Sequence, residues 1–206
     1  MDQGLERGSP LNHRQGRRAV LRAVLGVGLG LPLLELCPCL SSVAAAQGGD
    51  PKSQRPQAGD RFVFQAGEKS GRLITAADLP VGGPSVTAYP MDPATGVVRD
   101  GSRLNQILLV HLAAADLAEE TRGHSADGLV AYSGVCTHAG CDVTLWTPET
   151  KRFRCPCHES EFDPRDGGHV IGGPAPRRLP TLPVKVVDGV PVASGGFIGR
   201  PGFQGG

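Results

Sequence analysis

Four of the six cysteines of this chain lie in two short segments that each contain one histidine. The first reads CTHAGC over residues 136–141, and the second reads CPCHES over residues 155–160. Thiolate sulfur and neutral imidazole nitrogen are good ligands for zinc and for iron. The two segments could therefore supply two disulfides, a zinc site, a redox centre or a combination of these.

The spacing within the two segments differs from that of a zinc ribbon. A ribbon presents C-x-x-C knuckles, whereas the first segment is C-x-H-x-x-C and the second is C-x-C-H. Two plain disulfides would leave both histidines without a reason for their spacing. A structural zinc module used for binding stays a less favoured alternative.

CTHAGC followed by CPCHES resembles the Rieske [2Fe–2S] motif, and the resemblance extends from about residue 61 onward. It implies one [2Fe–2S] cluster per chain, with Cys136 and Cys155 on one iron and His138 and His158 on the other. Two imidazoles in place of two thiolates make such a cluster easier to reduce, and Rieske centres lie at roughly −150 to +300 mV. Electron and proton uptake are then expected to be coupled through the imidazoles.

The same resemblance assigns Cys141 and Cys157 to a disulfide that links the two loops. An oxidising compartment outside the cytoplasm would preserve such a bond. Ser160 stands where a hydroxyl of the family donates to a bridging sulfide, which raises the reduction potential. Phe162 stands where quinol:cytochrome c reductase subunits carry a tyrosine, so we expect a potential below theirs.

The tip of the domain is expected to dock redox partners through the exposed edges of His138 and His158. Ala139 and Glu159 lie beside these histidines, where the reductase subunits carry leucine and glycine. The expected partners are a larger oxidoreductase subunit and a cytochrome c or similar acceptor, with quinol as a possible ligand.

A proline-rich segment follows the second loop and consists of Gly173, Pro174, Ala175 and Pro176. It resembles the proline loop that covers the cluster in reductase subunits. Ser160 followed by Phe162-Asp163 and later by Gly167-Gly168 instead resembles the small subunit of arsenite oxidase. We therefore predict a high-potential electron-transfer subunit with no catalysis of its own. The arsenite-oxidase type is placed first, and the quinol:cytochrome c reductase type is the alternative.

The N-terminus resembles a twin-arginine export signal. Arg17 and Arg18 precede a mostly apolar stretch over residues 23–34, and alanines at 44–46 offer a cleavage site. We expect residues 1–46 to be a signal peptide, or a membrane anchor if they are retained, and the protein to be periplasmic. The remaining chain is close to electrically neutral, which excludes a basic surface for nucleic acid.

Thirty glycines and eighteen prolines predict many turns and short strands. We expect a flexible linker over residues 47–60 and an all-β, Rieske-type domain of small antiparallel sheets over residues 61–206. Two Cys/His loops form its cluster-binding part at about residues 134–178. Asp188-Gly189 predicts a hairpin turn, and a short helix is expected around residues 114–120. Strands are predicted at 61–65, 72–75, 85–89, 106–112, 129–132, 152–154, 184–187 and 190–193.

Overall fold

The computed structural model describes residues 49–204, so the predicted signal or anchor lies outside the described residues. Within that range no helix is long and apolar enough to cross a membrane. Strands dominate the described chain, as the composition predicts, and the predicted all-β fold of antiparallel sheets is confirmed. The domain boundaries themselves stay a prediction.

The larger sheet has six strands in the order β4-β3-β2-β1-β10-β9, and all neighbours are antiparallel. The predicted Asp188-Gly189 turn joins the last two, with Asp188 and Gly189 both in the left-handed region. The six strands of the larger sheet are β1 (Arg61–Phe64), β2 (Val86–Met91), β3 (Ile107–His111), β4 (Leu129–Ser133), β9 (Val184–Val187) and β10 (Val190–Ala193).

The smaller sheet carries the Cys/His loops and has four antiparallel strands in the order β5-β6-β7-β8. Three of these strands were not predicted, because they are short and only one or two of their side chains are apolar enough to signal burial. Its members are β5 (Leu145–Thr147), β6 (Arg152–Arg154), β7 (Glu161–Asp163) and β8 (His169–Gly172).

Strand β3 is buried on both faces, which explains its unbroken apolar run. Ile107 and Leu109 pack into a core shared with β1, whereas Leu108 and Val110 pack against residues of the smaller sheet. Successive side chains of a strand point to opposite faces, so one strand serves both cores. The strand therefore anchors the cluster-bearing part to the larger sheet.

The single α-helix among the described residues, α1 (Glu119–Arg122), is shorter than predicted and begins later. The expected start forms a 3₁₀ turn instead, because Leu117 is extended and buried and the Ala118 N–H donates to the Arg165 carbonyl at 2.9 Å. The predicted strand at residues 72–75 is reduced to a single bridge between Val63 and Leu73. The 3₁₀ helices are Pro51–Ser53, Ala76–Asp78, Arg103–Asn105 and Ala114–Asp116.

Residues 49–60 pack on the larger sheet, in contrast to the flexible linker expected from their composition. Arg99 donates through Nε to Asp60 Oδ2 at 2.7 Å and through Nη2 to Asp60 Oδ1 at 3.0 Å. Its Nη1 donates to Gln54 Oε1 at 2.8 Å, and both charged side chains are at most 4% exposed. The partners are 39 residues apart in sequence, so no local pattern announces this pair.

Candidate metal centre

The first cluster loop, residues 136–141, is a tight knuckle after β4. The Cys136 N–H donates to the Cys141 carbonyl at 2.8 Å, and the Gly140 N–H donates back to the Cys136 carbonyl at 3.1 Å. Gly140 has φ of 74°, a left-handed conformation that glycine adopts without steric cost. These bonds turn the chain sharply, so that Ala139 is exposed at the tip of the loop, His138 is half-buried and Thr137 is buried.

The second cluster loop, residues 155–160, closes with the same pair of hydrogen bonds. The Cys155 N–H donates to the Ser160 carbonyl at 2.9 Å, and the Glu159 N–H donates to the Cys155 carbonyl at 3.0 Å. Glu159 thus occupies the place that Gly140 has in the first loop, and its φ of 59° is also left-handed. The two loops are therefore structurally equivalent, although their sequences share only the positions of their first cysteines.

A disulfide joins Cys141 of the first loop to Cys157 of the second, with a Cα–Cα distance of 6.5 Å. The pairing implied by the Rieske resemblance is confirmed. The sulfurs of Cys141, Cys155 and Cys157 lie within 4.8 Å of one another. Two of them are bonded to each other and cannot act as thiolate ligands, so this trio is not a metal site by itself.

The two remaining cysteines, Cys136 and Cys155, are free thiols that are each 1% exposed. Burial raises the pKa of the Cys155 thiol, and the neighbouring Cys136 sulfur raises it further. A thiolate in such a site is stabilised by a nearby cation, because burial disfavours an isolated negative charge. The pair is thus placed where a metal ion would supply the missing positive charge.

The two histidines of the loops are in contact, with His158 exposed and His138 half-buried. The ring centroids of His138 and His158 are 4.7 Å apart and their planes are nearly perpendicular, at 89°. His138 Nδ1 is buried and has no hydrogen-bond partner, which is costly for a ring nitrogen unless it is occupied by a ligand such as a metal ion. Two buried thiols and two adjacent imidazoles fit the mixed donor set of a Rieske [2Fe–2S] cluster.

Ser160 is fully buried and links the second cluster loop to the proline-rich segment. Its Oγ accepts a hydrogen bond from the Ala175 N–H at 3.1 Å, which leaves the hydroxyl hydrogen available for donation. Gly173 packs directly on this loop, since a Cβ built there would lie 2.5 Å from Ser160 Cα. Pro174 and Pro176 flank the contact and are exposed.

Arg177, the residue directly after the proline-rich segment, also holds the first cluster loop, through a contact that sequence reasoning missed. The hydroxyl of Thr137, a fully buried residue, donates to the Arg177 carbonyl at 2.6 Å. Thr137 stands between two candidate ligands, and that position in the motif is the one signal that could have identified it. Residues 173–177 therefore fix both loops relative to each other.

The other residues singled out from the sequence also lie at or near the two loops. Phe162 is completely buried in the core that contains Cys136 and Cys155. Ala139 and His158 are exposed at the tip, and so is Glu159, whose carboxylate pairs with Arg154 at 2.8 Å. The exposed edge of the site thus carries one ion pair, between Glu159 and Arg154.

Glu159→Gly is expected to increase the free energy of unfolding by up to about 1 kcal/mol. A left-handed non-glycine residue costs about 1–2 kcal/mol, of which the greater unfolded-state entropy of glycine offsets about 0.5–1 kcal/mol. Glu159→Gln, which removes the charge and keeps the backbone conformation, should give no such gain. Denaturant titration of both variants measures the difference, and a loss of stability in the glycine variant would contradict the account.

Residues 92–183 match the family model described as Rieske [2Fe-2S] domain. The "Cytochrome bc1 complex Rieske iron-sulfur subunit" of Corynebacterium glutamicum is 42% identical over 101 residues, which cover 46% of this chain and 24% of that protein. The "Putative respiratory nitrate reductase subunit Rieske" of Haloferax mediterranei is 38% identical over 121 residues, covering 58% of this chain and 52% of that protein. The chain thus spans about a quarter to a half of the length of these relatives.

Among solved structures, the chain is similar to the cyanobacterial plasma membrane Rieske protein from Synechocystis. The two are 26% identical with a TM-score of 0.34, over 52% of this chain and 84% of that one. The family match encloses both cluster loops, the linking disulfide, the buried free thiols and the paired imidazoles. Residues 92–183 of this chain are therefore a Rieske domain, and its cofactor is a [2Fe–2S] cluster.

Proposed function

We propose that this chain is the iron–sulfur subunit of an exported respiratory oxidoreductase, in which it carries one electron at a time. Cys136 and Cys155 would hold one iron, and His138 and His158 would hold the other. The observation that carries the proposal is the pair of equivalent loops. They bury the free thiols and place the half-buried imidazole of His138 4.7 Å from the exposed imidazole of His158.

When bound, a [2Fe–2S] cluster of this type accepts and releases a single electron at a relatively high potential. The residues around the site determine from which side a redox partner can approach it. The burial of Cys136 and Cys155 keeps solvent from the inner side of the site, whereas the exposed ring of His158 gives a partner the shortest approach. The distal nitrogens of His138 and His158 can hold or release a proton as the charge of the site changes.

Of the two types of complex, the quinol:cytochrome c reductase type now has more support. The Corynebacterium relative named as a cytochrome bc1 subunit is 42% identical over 101 residues, and residues 173–177 contact both cluster loops as a cover for the cluster would. In this proposal His138 or His158 binds quinol at the tip and receives its proton. A larger subunit that holds quinol and a cytochrome c or similar acceptor would be the partners.

The arsenite-oxidase type is the second candidate, because three residues depart from the pattern of the reductase subunits. Phe162 carries no hydroxyl, Ala139 offers little apolar surface beside the tip, and Glu159 adds a charge and a side chain where glycine is usual. In that case a larger subunit delivers the electron directly and the tip binds no quinol.

Export is proposed from the twin arginine at residues 17–18 and is supported by the disulfide between Cys141 and Cys157. Disulfides persist in oxidising compartments such as the periplasm, so the bond fits a periplasmic location. N-terminal sequencing of the mature protein would distinguish a cleaved signal from a retained anchor.

The proposal is tested by electron paramagnetic resonance of the reduced, purified protein. We expect an axial or rhombic Rieske signal together with two irons and two acid-labile sulfides per chain. A protein that holds zinc and no labile sulfide would refute it. A quinol analogue that shifts the spectrum would support the reductase type, and an unchanged spectrum at saturating analogue would favour the arsenite-oxidase type.

Ser160→Ala is expected to lower the reduction potential by roughly 60 mV. A hydrogen bond to a charged acceptor contributes about 1.5 kcal/mol, and 59 mV corresponds to a tenfold change for a one-electron couple. Potentiometric titration of the cluster measures the shift. Thr121→Val is a suitable control, because it removes a buried hydroxyl that also accepts from a backbone N–H, that of Gly167 at 2.8 Å, outside both loops. An equal shift in both variants would contradict the role of Ser160.

Phe162→Tyr is expected to raise the reduction potential by a similar amount, roughly 60 mV. The ring of Phe162 belongs to the same buried core as Cys155, and we expect the added hydroxyl to donate to a ligand thiolate. The same potentiometric titration checks the result. A denaturation curve should accompany it, since an unchanged potential in a protein of normal stability would show that the phenol does not reach the sulfur.

A further inference from the structure

A cavity of about 450 Å³ lies beside the first cluster loop, on the side formed by the C-terminal segment. Cavities of about 300–1,000 Å³ are typical of small-molecule sites. Most of its wall comes from residues outside the 92–183 match to the Rieske family model. Its principal side chains are those of Arg55, Leu104, Phe197, Arg200, Pro201 and Phe203.

Three arginines, Arg55, Arg177 and Arg200, lie at or next to this cavity. Among residues 49–204, the ion pairs include none with Arg55, Arg177 or Arg200. The Arg177 guanidinium donates to the Arg200 carbonyl at 2.7 Å and to the Gly202 carbonyl, so its charge lies against the segment that forms the wall. Burial lowers the pKa of Arg177, and the charge of Arg200 lowers it further.

The wall of the cavity also has an exposed apolar surface. Phe203 is 61% exposed, although a buried phenyl ring is much more favourable than an exposed one. Phe197 and Leu104 are partly buried next to it. The cavity is thus lined by both guanidinium groups and apolar side chains.

We infer that this cavity binds a small organic carboxylate, with its charge held by Arg55 and Arg200 and its apolar body packed on Phe203. The planar guanidinium fork matches a carboxylate in two parallel hydrogen bonds. An aromatic or short aliphatic body would cover the exposed rings, which an inorganic anion would leave in water. The inference is independent of which respiratory complex the chain serves.

The site is connected to the first cluster loop by direct contacts. A Cβ built on Gly140 would lie 3.8 Å from Phe203 Cβ, so Phe203 packs next to this loop. Arg103 donates to the Gly140 carbonyl at 3.0 Å, and Arg177 accepts from the Thr137 hydroxyl through its carbonyl. A ligand that orders Phe203 and Arg200 is therefore expected to slow loss of the cluster to a chelator.

The test is calorimetric titration of the holoprotein with benzoate and, separately, with inorganic phosphate. We expect benzoate to saturate one site with a Kd below about 1 mM, a range that calorimetry measures directly. Arg55→Gln and Arg200→Gln should each weaken benzoate binding by about tenfold, as expected for loss of a charged hydrogen bond. Arg61→Gln, which removes an exposed arginine of β1 that does not line the cavity, is the matched control and should bind as the wild type does.

Phe203→Ala separates the apolar contribution, since it should weaken benzoate binding and leave phosphate binding unchanged. No saturation with benzoate up to about 50 mM, equal affinity in all variants, or phosphate binding as tight as that of benzoate would each overturn the inference. The reading is a binding isotherm, so its failure is distinct from a failure of the electron-transfer proposal.

Discussion

Replacing Cys141 with serine is expected to make the cluster labile while all four proposed ligands stay in place. The disulfide to Cys157 spans 16 residues and cross-links the two cluster loops. Closing a loop of this length restricts the open chain by about 3 kcal/mol, which corresponds to roughly a hundredfold change in the equilibrium for opening of the loops. We therefore expect loss of the cluster absorbance in the presence of an iron chelator to be about a hundredfold faster than in the wild type.

The companion variants make this result specific to the bond. Cys157→Ser should give the same acceleration, and the double variant should be no faster than either single one, because all three lack the same cross-link. The circular dichroism of the larger sheet should be retained, since Cys141 and Cys157 lie outside its strands. A cluster as durable in Cys141→Ser as in the wild type would disprove the stabilising role of the disulfide.

Arg99→Met is expected to destabilise the folded domain by about 3–5 kcal/mol. The substitution leaves the Asp60 carboxylate, 3% exposed, without its charged partner at 2.7 Å. It also removes the donor to Gln54, so the segment before β1 loses its attachment to the sheet. For a domain of this size the loss corresponds to a decrease of roughly 10 °C in melting temperature, which calorimetry measures.

An exposed ion pair provides the control for this second prediction. Lys52 and Asp100 are 3.5 Å apart with side chains that are 59% and 44% exposed, so Asp100→Asn should change stability by no more than about 1 kcal/mol. The double variant Arg99→Met with Asp60→Leu should recover much of the loss, because no buried charge is then left unpaired. Equal effects of Arg99→Met and Asp100→Asn would show that burial of the pair contributes nothing.

The candidate site was largely predictable because its information is local. Ligand spacing within residues 136–141 and 155–160 is a property of two short segments, and each segment forms a knuckle through its own backbone hydrogen bonds. The resemblance to the Rieske motif then identified the disulfide partners, Cys141 and Cys157. The same resemblance predicted that the proline-rich segment covers the cluster, whereas its hydrogen bond to Ser160 is seen only in the structure.

The strands were also predictable where their signal is local, and not where it depends on pairing. Long apolar runs such as β3 indicate a buried strand from the sequence alone, so the positions of these strands were predicted within one or two residues. Strands β5, β7 and β8 have three or four residues each, and it is pairing with β6 and with one another that makes them strands. The ordered segment at residues 49–60 depends in the same way on a partner 39 residues away.

The resemblance of the two Cys/His segments to the Rieske motif implied the cofactor class and the candidate ligand set of this protein from the sequence by itself. Its all-β character followed from short apolar runs separated by turn residues. The tertiary structure alone decided the equivalence of Gly140 and Glu159, the buried Arg99–Asp60 pair and the arginine-lined cavity beside Phe203. Each of these arises from residues that are distant in sequence or from a backbone conformation that the residue type disfavours. Such features become defined when the whole chain has packed.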